Sequence, residues 1–127
     1  MRSIVIWTVD RDALGAMVRA AAGLGRTSYE TSPDRWIIEF GDDDYVSLTA
    51  VPEIWDEYEE DDERRIRALF DAEPVAILVE YRDRETARAV LIAALAGVDA
   101  QIEGPFGHIV PAGDFRRELI AGDRQLS

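Results

Sequence analysis

Two stretches of this chain, 73 residues apart, repeat one pattern: an apolar strand, an aspartate, an amphipathic helix and further strand. Ile4-Val5-Ile6 matches Ile77-Leu78-Val79, and Asp10-Arg11-Asp12 matches Asp83-Arg84-Glu85 at each helix start. Met17-Val18 matches Val90-Leu91, Tyr29-Glu30 matches Ile102-Glu103, and Trp36-Ile37 matches Ile109-Val110, with no gap. A repeat of this length constrains the fold. Each copy reads β-α-β-β, and one helix can cover one face of a small sheet only if the copies pool their strands.

The local signals fill in the pattern. Ser3 to Val9 is apolar, β-branched and bounded by Asp10, which predicts a buried strand. Asp10 is an expected N-cap for a helix to about Leu24, with Ala13, Leu14, Met17, Val18 and Ala21 on its apolar face. Arg26 to Thr31 is a short strand, Ser32-Pro33-Asp34 a turn, and Arg35 to Val51 a hairpin turning at Gly41 to Asp44. Val75 to Tyr81 is a second apolar strand. Asp83 caps a helix to about Ala96 with Ala87, Val90, Leu91, Ala94 and Leu95 inward, and Gly97 ends it. Val98 to Glu103 and His108 to Val110 are strands about a turn at Gly104 to Gly107. A last helix covers Asp114 to Ala121, with a frayed tail after Gly122. Trp7, Trp36, Phe40, Tyr81 and Phe115 fall at core positions. The expected fold is α+β: a two-layer sandwich of two β-α-β-β repeats sharing one mostly antiparallel sheet, with helices packed on it. One domain of 127 residues is expected, its halves about 3–51 and 75–121, joined by an acidic helical linker about 52–74.

Charge is the second constraint. Of 26 acids, 11 lie between Asp42 and Glu63, a stretch with no basic residue: Asp42, Asp43, Asp44, Glu53, Asp56, Glu57, Glu59, Glu60, Asp61, Asp62 and Glu63. The remaining 15 acids nearly balance the 14 basic residues, so most of the net −12 sits in one segment. A generally acidified surface would spread its carboxylates. The linker itself has Ile54, Trp55 and Tyr58 in its first part and Ile66, Leu69 and Phe70 in its second. Glu59 to Glu63 has no apolar member, which predicts a loop or break there, then helix to about Asp71. Every basic residue is Arg, and Lys and Asn are absent, as GC-rich codon usage in a bacterium or archaeon produces.

Several chemistries are excluded. There is no Cys, hence no disulfide framework, thiolate nucleophile or Cys-type zinc site. Net negative charge argues against nucleic acid as the direct partner. No apolar run approaches a bilayer span, so no membrane partner is expected, and the start lacks the features of a signal peptide, which implies the cytoplasm. His108, the single histidine, reads as a surface residue. No Ser lies in a nucleophile elbow, and Gly23-Leu24-Gly25 follows a helix where a dinucleotide loop must precede one. The acidic runs lack the spacing of a calcium loop. No catalytic residue, cofactor or metal is expected.

Trp55 and Tyr58 stand inside the acidic run at i, i+3. They either pin the linker to the sheet or form an aromatic anchor rimmed by carboxylates, the composition of a protein-binding hot spot. The expected partner surface is therefore Asp42 to Asp44 with Trp55 to Glu63, facing a basic protein. In size, acidity, lack of Cys, α/β layout and the ending Gly107-His108-Ile109-Val110-Pro111 followed by Asp114-Phe115, the chain resembles the small acidic immunity proteins of bacterial polymorphic toxin systems. That resemblance implies a cognate toxin, bound and blocked in the cytoplasm. A second reading stays open: a small-molecule-binding or regulatory domain, as a homodimer through its sheet or with a ligand between helices and sheet. An enzyme working with Asp, Glu and Arg alone is a third.

Overall fold

Ile4 and Ile6 point to one side of the first strand and Val5 and Trp7 to the other, so β1 (Arg2–Thr8) must be covered on both faces. It lies inside a seven-stranded sheet ordered β2-β3-β4-β5-β1-β6-β7, with β2 Arg26–Glu30, β3 Arg35–Gly41, β4 Asp44–Ala50, β5 Val75–Tyr81, β6 Gln101–Glu103 and β7 Ile109–Pro111. Every neighbouring pair is antiparallel. Helices α1 (Ala13–Ala21), α3 (Arg84–Ala94) and α4 (Ala112–Ala121) cover one face, and the linker helix α2 (Glu60–Arg67) lies against part of the other. The fold is α+β, as the repeat pattern predicts. The computed structural model describes residues 1–31, 33–104 and 107–126. The predicted turns at Ser32 and at Pro105-Phe106 therefore fall partly outside the described residues, as does Ser127.

The main core forms where the inward faces of α1 and α3 meet the sheet. The predicted stripes of α1, Ala13, Leu14, Met17, Val18 and Ala21, and of α3, Ala87, Val90, Leu91 and Ala94, are buried. They pack on Ile4, Ile6, Ile38, Val46, Leu48, Ile77, Val79 and Tyr81, and Phe115 and Leu119 of α4 close one end. Trp36 and Phe40 are partly buried at its edge.

Four expectations are corrected. Asp10 does not cap α1. Its carboxylate accepts from the Asp12 N–H at 2.9 Å in a turn, the helix starts at Ala13, and a 3-10 turn, Ala22–Leu24, finishes it. The predicted strand from Val98 begins only at Gln101, because Val98 closes a turn onto the Leu95 carbonyl. The tail after Gly122 is not frayed: Gly122 takes a left-handed φ of 80°, the Asp123 and Arg124 N–H groups bond the Glu118 carbonyl, and Leu126 is buried. The gapless repeat slips at its last strand. Tyr29 pairs with Trp36, but Ile102 pairs with Val110, so Val110 and not Ile109 occupies the place of Trp36.

The halves also pair unequally. In the second, β6 follows the helix and lies beside β1. In the first, β2 follows the helix but runs at the sheet's outer edge, because the extra strand β4 takes the place beside β5. The first half is thus β-α-β-β-β.

Asp83 behaves as predicted, its carboxylate accepting from the Glu85 and Thr86 N–H groups at 2.8 and 3.2 Å. Those bonds hold its pKa below the ordinary aspartate value. A folded-state pKa below the unfolded one makes the cap's contribution complete above the unfolded pKa and lost as pH falls through the folded one. Asp83→Ala should lower the melting temperature at neutral pH, and the gap to wild type should close on acidification below the ordinary aspartate pKa, in melts followed by circular dichroism.

Candidate functional site

On the sheet face away from α1 and α3, Trp7 is fully buried. A buried indole needs a cover and a partner for its N–H. The linker supplies the cover. After Val51, a 3-10 turn (Ile54–Glu57) lays the Trp55 ring on Trp7 at 4.7 Å between centroids and 26° between planes. Tyr58 sits edge-on to both rings, at 5.6 and 5.8 Å. The Arg67 guanidinium covers the Trp55 ring at 4.4 Å. Glu103 of β6 is the shared acceptor: Trp7 Nε1 donates to its Oε1 at 3.0 Å and Tyr58 Oη at 2.7 Å. Burial first, then the bond to Glu103, pushes the Tyr58 hydroxyl pKa up. Ile54 and Ile66 complete this smaller core, with Val5, Val51, Phe70 and Ile109 at its margin.

Trp55 and Tyr58 therefore fasten the linker to the sheet, and both rings stay half-buried. The predicted break falls at Tyr58 and Glu59, which are extended, and Glu60 to Glu63 form the first turn of α2 rather than a loop. Four acids at a helix N-terminus are favourably placed against its dipole. The helix ends at Arg67, short of Asp71, and Leu69 is exposed while Phe70 is half-buried.

The structure divides the predicted acidic surface into three groups. In α2 the acids are met by the helix's own arginines: Arg64 pairs with Glu60 at 3.7 Å and Asp61 at 3.0 Å, Arg65 with Asp62 at 3.1 Å, and Arg67 with Glu63 at 3.6 Å as well as Glu73. Asp42 and Asp43 form the β3–β4 turn and Asp44 opens β4, at the end of that strand about 20 Å from the linker by strand length. There Asp44 Oδ2 accepts from the Thr86 hydroxyl at 2.9 Å, while Asp42 and Asp43 are exposed. Glu53, Asp56, Glu57 and Glu59 remain: exposed, on the pinned turn, and in no ion pair among the described residues.

Beside that turn lies a groove the sequence did not reveal. Two adjoining hollows of about 220 Å³ each share Arg11, Val51, Pro52, Val75 and Ala76. One reaches Asp10, Leu14 and Asp34, the other Trp55 and Glu73. Its lining is largely apolar, with Asp10, Asp34 and Glu73 as acids, and Arg11 makes no ion pair among the described residues. The matching signal in sequence is diffuse, since the lining comes from four separate segments. The Arg64, Arg65 and Arg67 pairings were legible, at i, i+3 and i, i+4 from their acids.

A different cavity, about 320 Å³, lies between the start of α3 and the chain's last residues. Arg84, Glu85, Arg88, Arg124 and Gln125 line it. Arg88 Nε donates to the Leu119 carbonyl at 2.9 Å, and Arg124 pairs with Glu118 and covers the Phe115 ring. His108 is exposed, and no group of three or more acidic or histidine side chains among the described residues is arranged to hold a metal ion.

Ile66 is the α2 residue that seals the smaller core. Ile66→Ala should cost about 3 kcal/mol of unfolding free energy by denaturant titration. Arg64→Ala and Arg65→Ala should each change the unfolding free energy by less than about 1 kcal/mol in the same titration, because the α2 ion pairs are surface pairs.

Among the described residues no helix is long and apolar enough to cross a membrane. Compared with protein-family models, with curated proteins and with solved structures, the chain has no match.

Proposed function

We propose that this chain is a protein-binding module of the immunity type, which neutralises a basic partner, a toxin or nuclease domain, through the sheet end that carries the 3-10 turn and the groove. The observation that carries this reading is the group Glu53, Asp56, Glu57 and Glu59: four carboxylates without cationic partners among the described residues, on and beside a turn fixed by Trp55 and Tyr58. Like charges kept together cost stability, and a rigid mount spares the ordering cost a flexible acidic loop would meet on binding. The apolar lining of the neighbouring groove offers area to bury, and its acids Asp10 and Asp34 suit the stem and head of an arginine or lysine. The acids of α2, already matched, add little, and Asp42 and Asp43 act on the partner only at long range.

The partner to test is a basic C-terminal domain encoded in the neighbouring reading frame. Binding measured by calorimetry should weaken steeply with salt. Asp56→Arg with Glu57→Arg and Glu59→Arg should weaken it about a hundredfold at low salt, chiefly through slower association, with the melting temperature unchanged or raised as the mutual repulsion is relieved. Arg11→Ala should tighten it. Unaltered binding by the triple variant, or no basic partner next door, would remove the reading.

The cavity at Arg84, Arg88 and Arg124 favours the small-molecule reading as an alternative. Arg84, Arg88, Arg124 and Gln125 line it beside Glu85. Arg88 and Arg124 already hold the Leu119 carbonyl and Glu118, so that among the described residues Arg84 is the cation left for a ligand, and the volume is that of a small ligand site. Inorganic phosphate and pyrophosphate, titrated by calorimetry, should then bind to wild type and not to Arg84→Ala. Heat-free titrations would count against this alternative and leave the first reading standing.

A further inference from the structure

Strand β2 forms one outer edge of the sheet, and all five of its residues, Arg26, Thr27, Ser28, Tyr29 and Glu30, are exposed. It has no proline, and its pairing with β3 has no bulge from Arg26 to Glu30. Among the described residues its backbone makes no hydrogen bond beyond those to β3. An open edge of this kind is a template for another strand.

The side chains specify which strand. Arg26 and Glu30 stand at the two ends of β2 and point to the same face, with Ser28 midway. Within the chain, Arg26 is opposite Glu39 and Glu30 is opposite Arg35, the latter pair at 4.0 Å. If two copies run antiparallel about a two-fold axis at Ser28, each Arg26 faces the Glu30 of the other copy. The face then carries two rows of alternating sign, each running Glu39, Arg26, then Glu30 and Arg35 of the second copy. A parallel pairing sets Arg26 beside Arg26, and a two-residue shift leaves both charges opposite uncharged residues. On the reverse face, Tyr29 of one copy lies beside Thr27 of the other. Tyr29 and Leu24, just before the strand, are two of the six large apolar side chains left exposed among the described residues.

We infer that β2 is a self-association edge: two copies join their sheets antiparallel in the register Arg26 to Glu30, Thr27 to Tyr29 and Ser28 to Ser28. This is independent of the acidic turn and groove, which lie on other elements. One short strand pair covers less than the ~1,200 Å² of a standard stable interface, so the dimer forms in a concentration-dependent equilibrium.

Sedimentation velocity over a concentration series, together with hydrogen exchange of residues 26–30, tests it. Wild type should dimerise, and its β2 amides should gain protection as concentration rises. Arg26→Glu and Glu30→Arg should each weaken the dimer about tenfold, since attraction becomes repulsion at two symmetric contacts. The double variant should restore wild-type dimerisation. Its monomer stability should not recover, because the new acid still faces Glu39 and the new base still faces Arg35. That separates an effect on the interface from an effect on folding. A wild type that stays monomeric with unprotected β2 amides, or a double variant no tighter than the singles, would overturn the proposal. Dimerisation with protection elsewhere would do the same.

Discussion

The burial of Trp7 on the second face of a central strand is the constraint from which the placement of the linker and its turn follows. An antiparallel sheet can leave one face to water, but not where a central strand carries an indole there. The chain resolves this with the segment between its halves. Trp55 supplies the stacked ring, Tyr58 the edge, Ile54 and Ile66 the aliphatic walls, and Glu103 the acceptor for both polar hydrogens. Because Glu103 comes from β6, this one carboxylate ties the linker, the first strand and the second half together. The acidic segment is thus held by its aromatics, and its charges face outward from a fixed base.

This arrangement changes what the charge means. Counted along the sequence, eleven acids without a basic residue form one anionic insert. In space they become a neutralised helix, a distant turn and four uncompensated carboxylates. The count stopped one residue before Arg64, where compensation begins. The third group stands on the segment whose Pro52, Ile54 and Trp55 line the largely apolar groove, and area together with charge distinguishes a recognition surface from a solvated one. The case for a cationic partner therefore rests on fewer residues than the sequence offered, but on better placed ones.

The cationic side chains follow the same logic. Arg67 is spent on Trp55 and Glu73, and Arg88 on the last carbonyls of α4. Guanidinium groups suit these sites because a planar cation can stack on a ring and still donate to an oxygen. All 14 strongly basic residues are Arg, and the structure uses that geometry.

The sequence by itself determined the elements whose period is strong and local: both apolar strands, the buried stripes of α1 and α3, the cap at Asp83 and the antiparallel α+β class. These depend on neighbours a few residues apart, where side-chain spacing and hydrogen-bond reach are fixed by the chain. It did not determine that β2 runs at the edge while β6 lies beside β1, nor that the linker crosses to the far face, nor that the groove exists. Those depend on which of several equally apolar strands lie side by side. Only the tertiary structure decided that, because strand pairing is settled by packing both sheet faces at once, Trp7 among them, and no single segment carries that information.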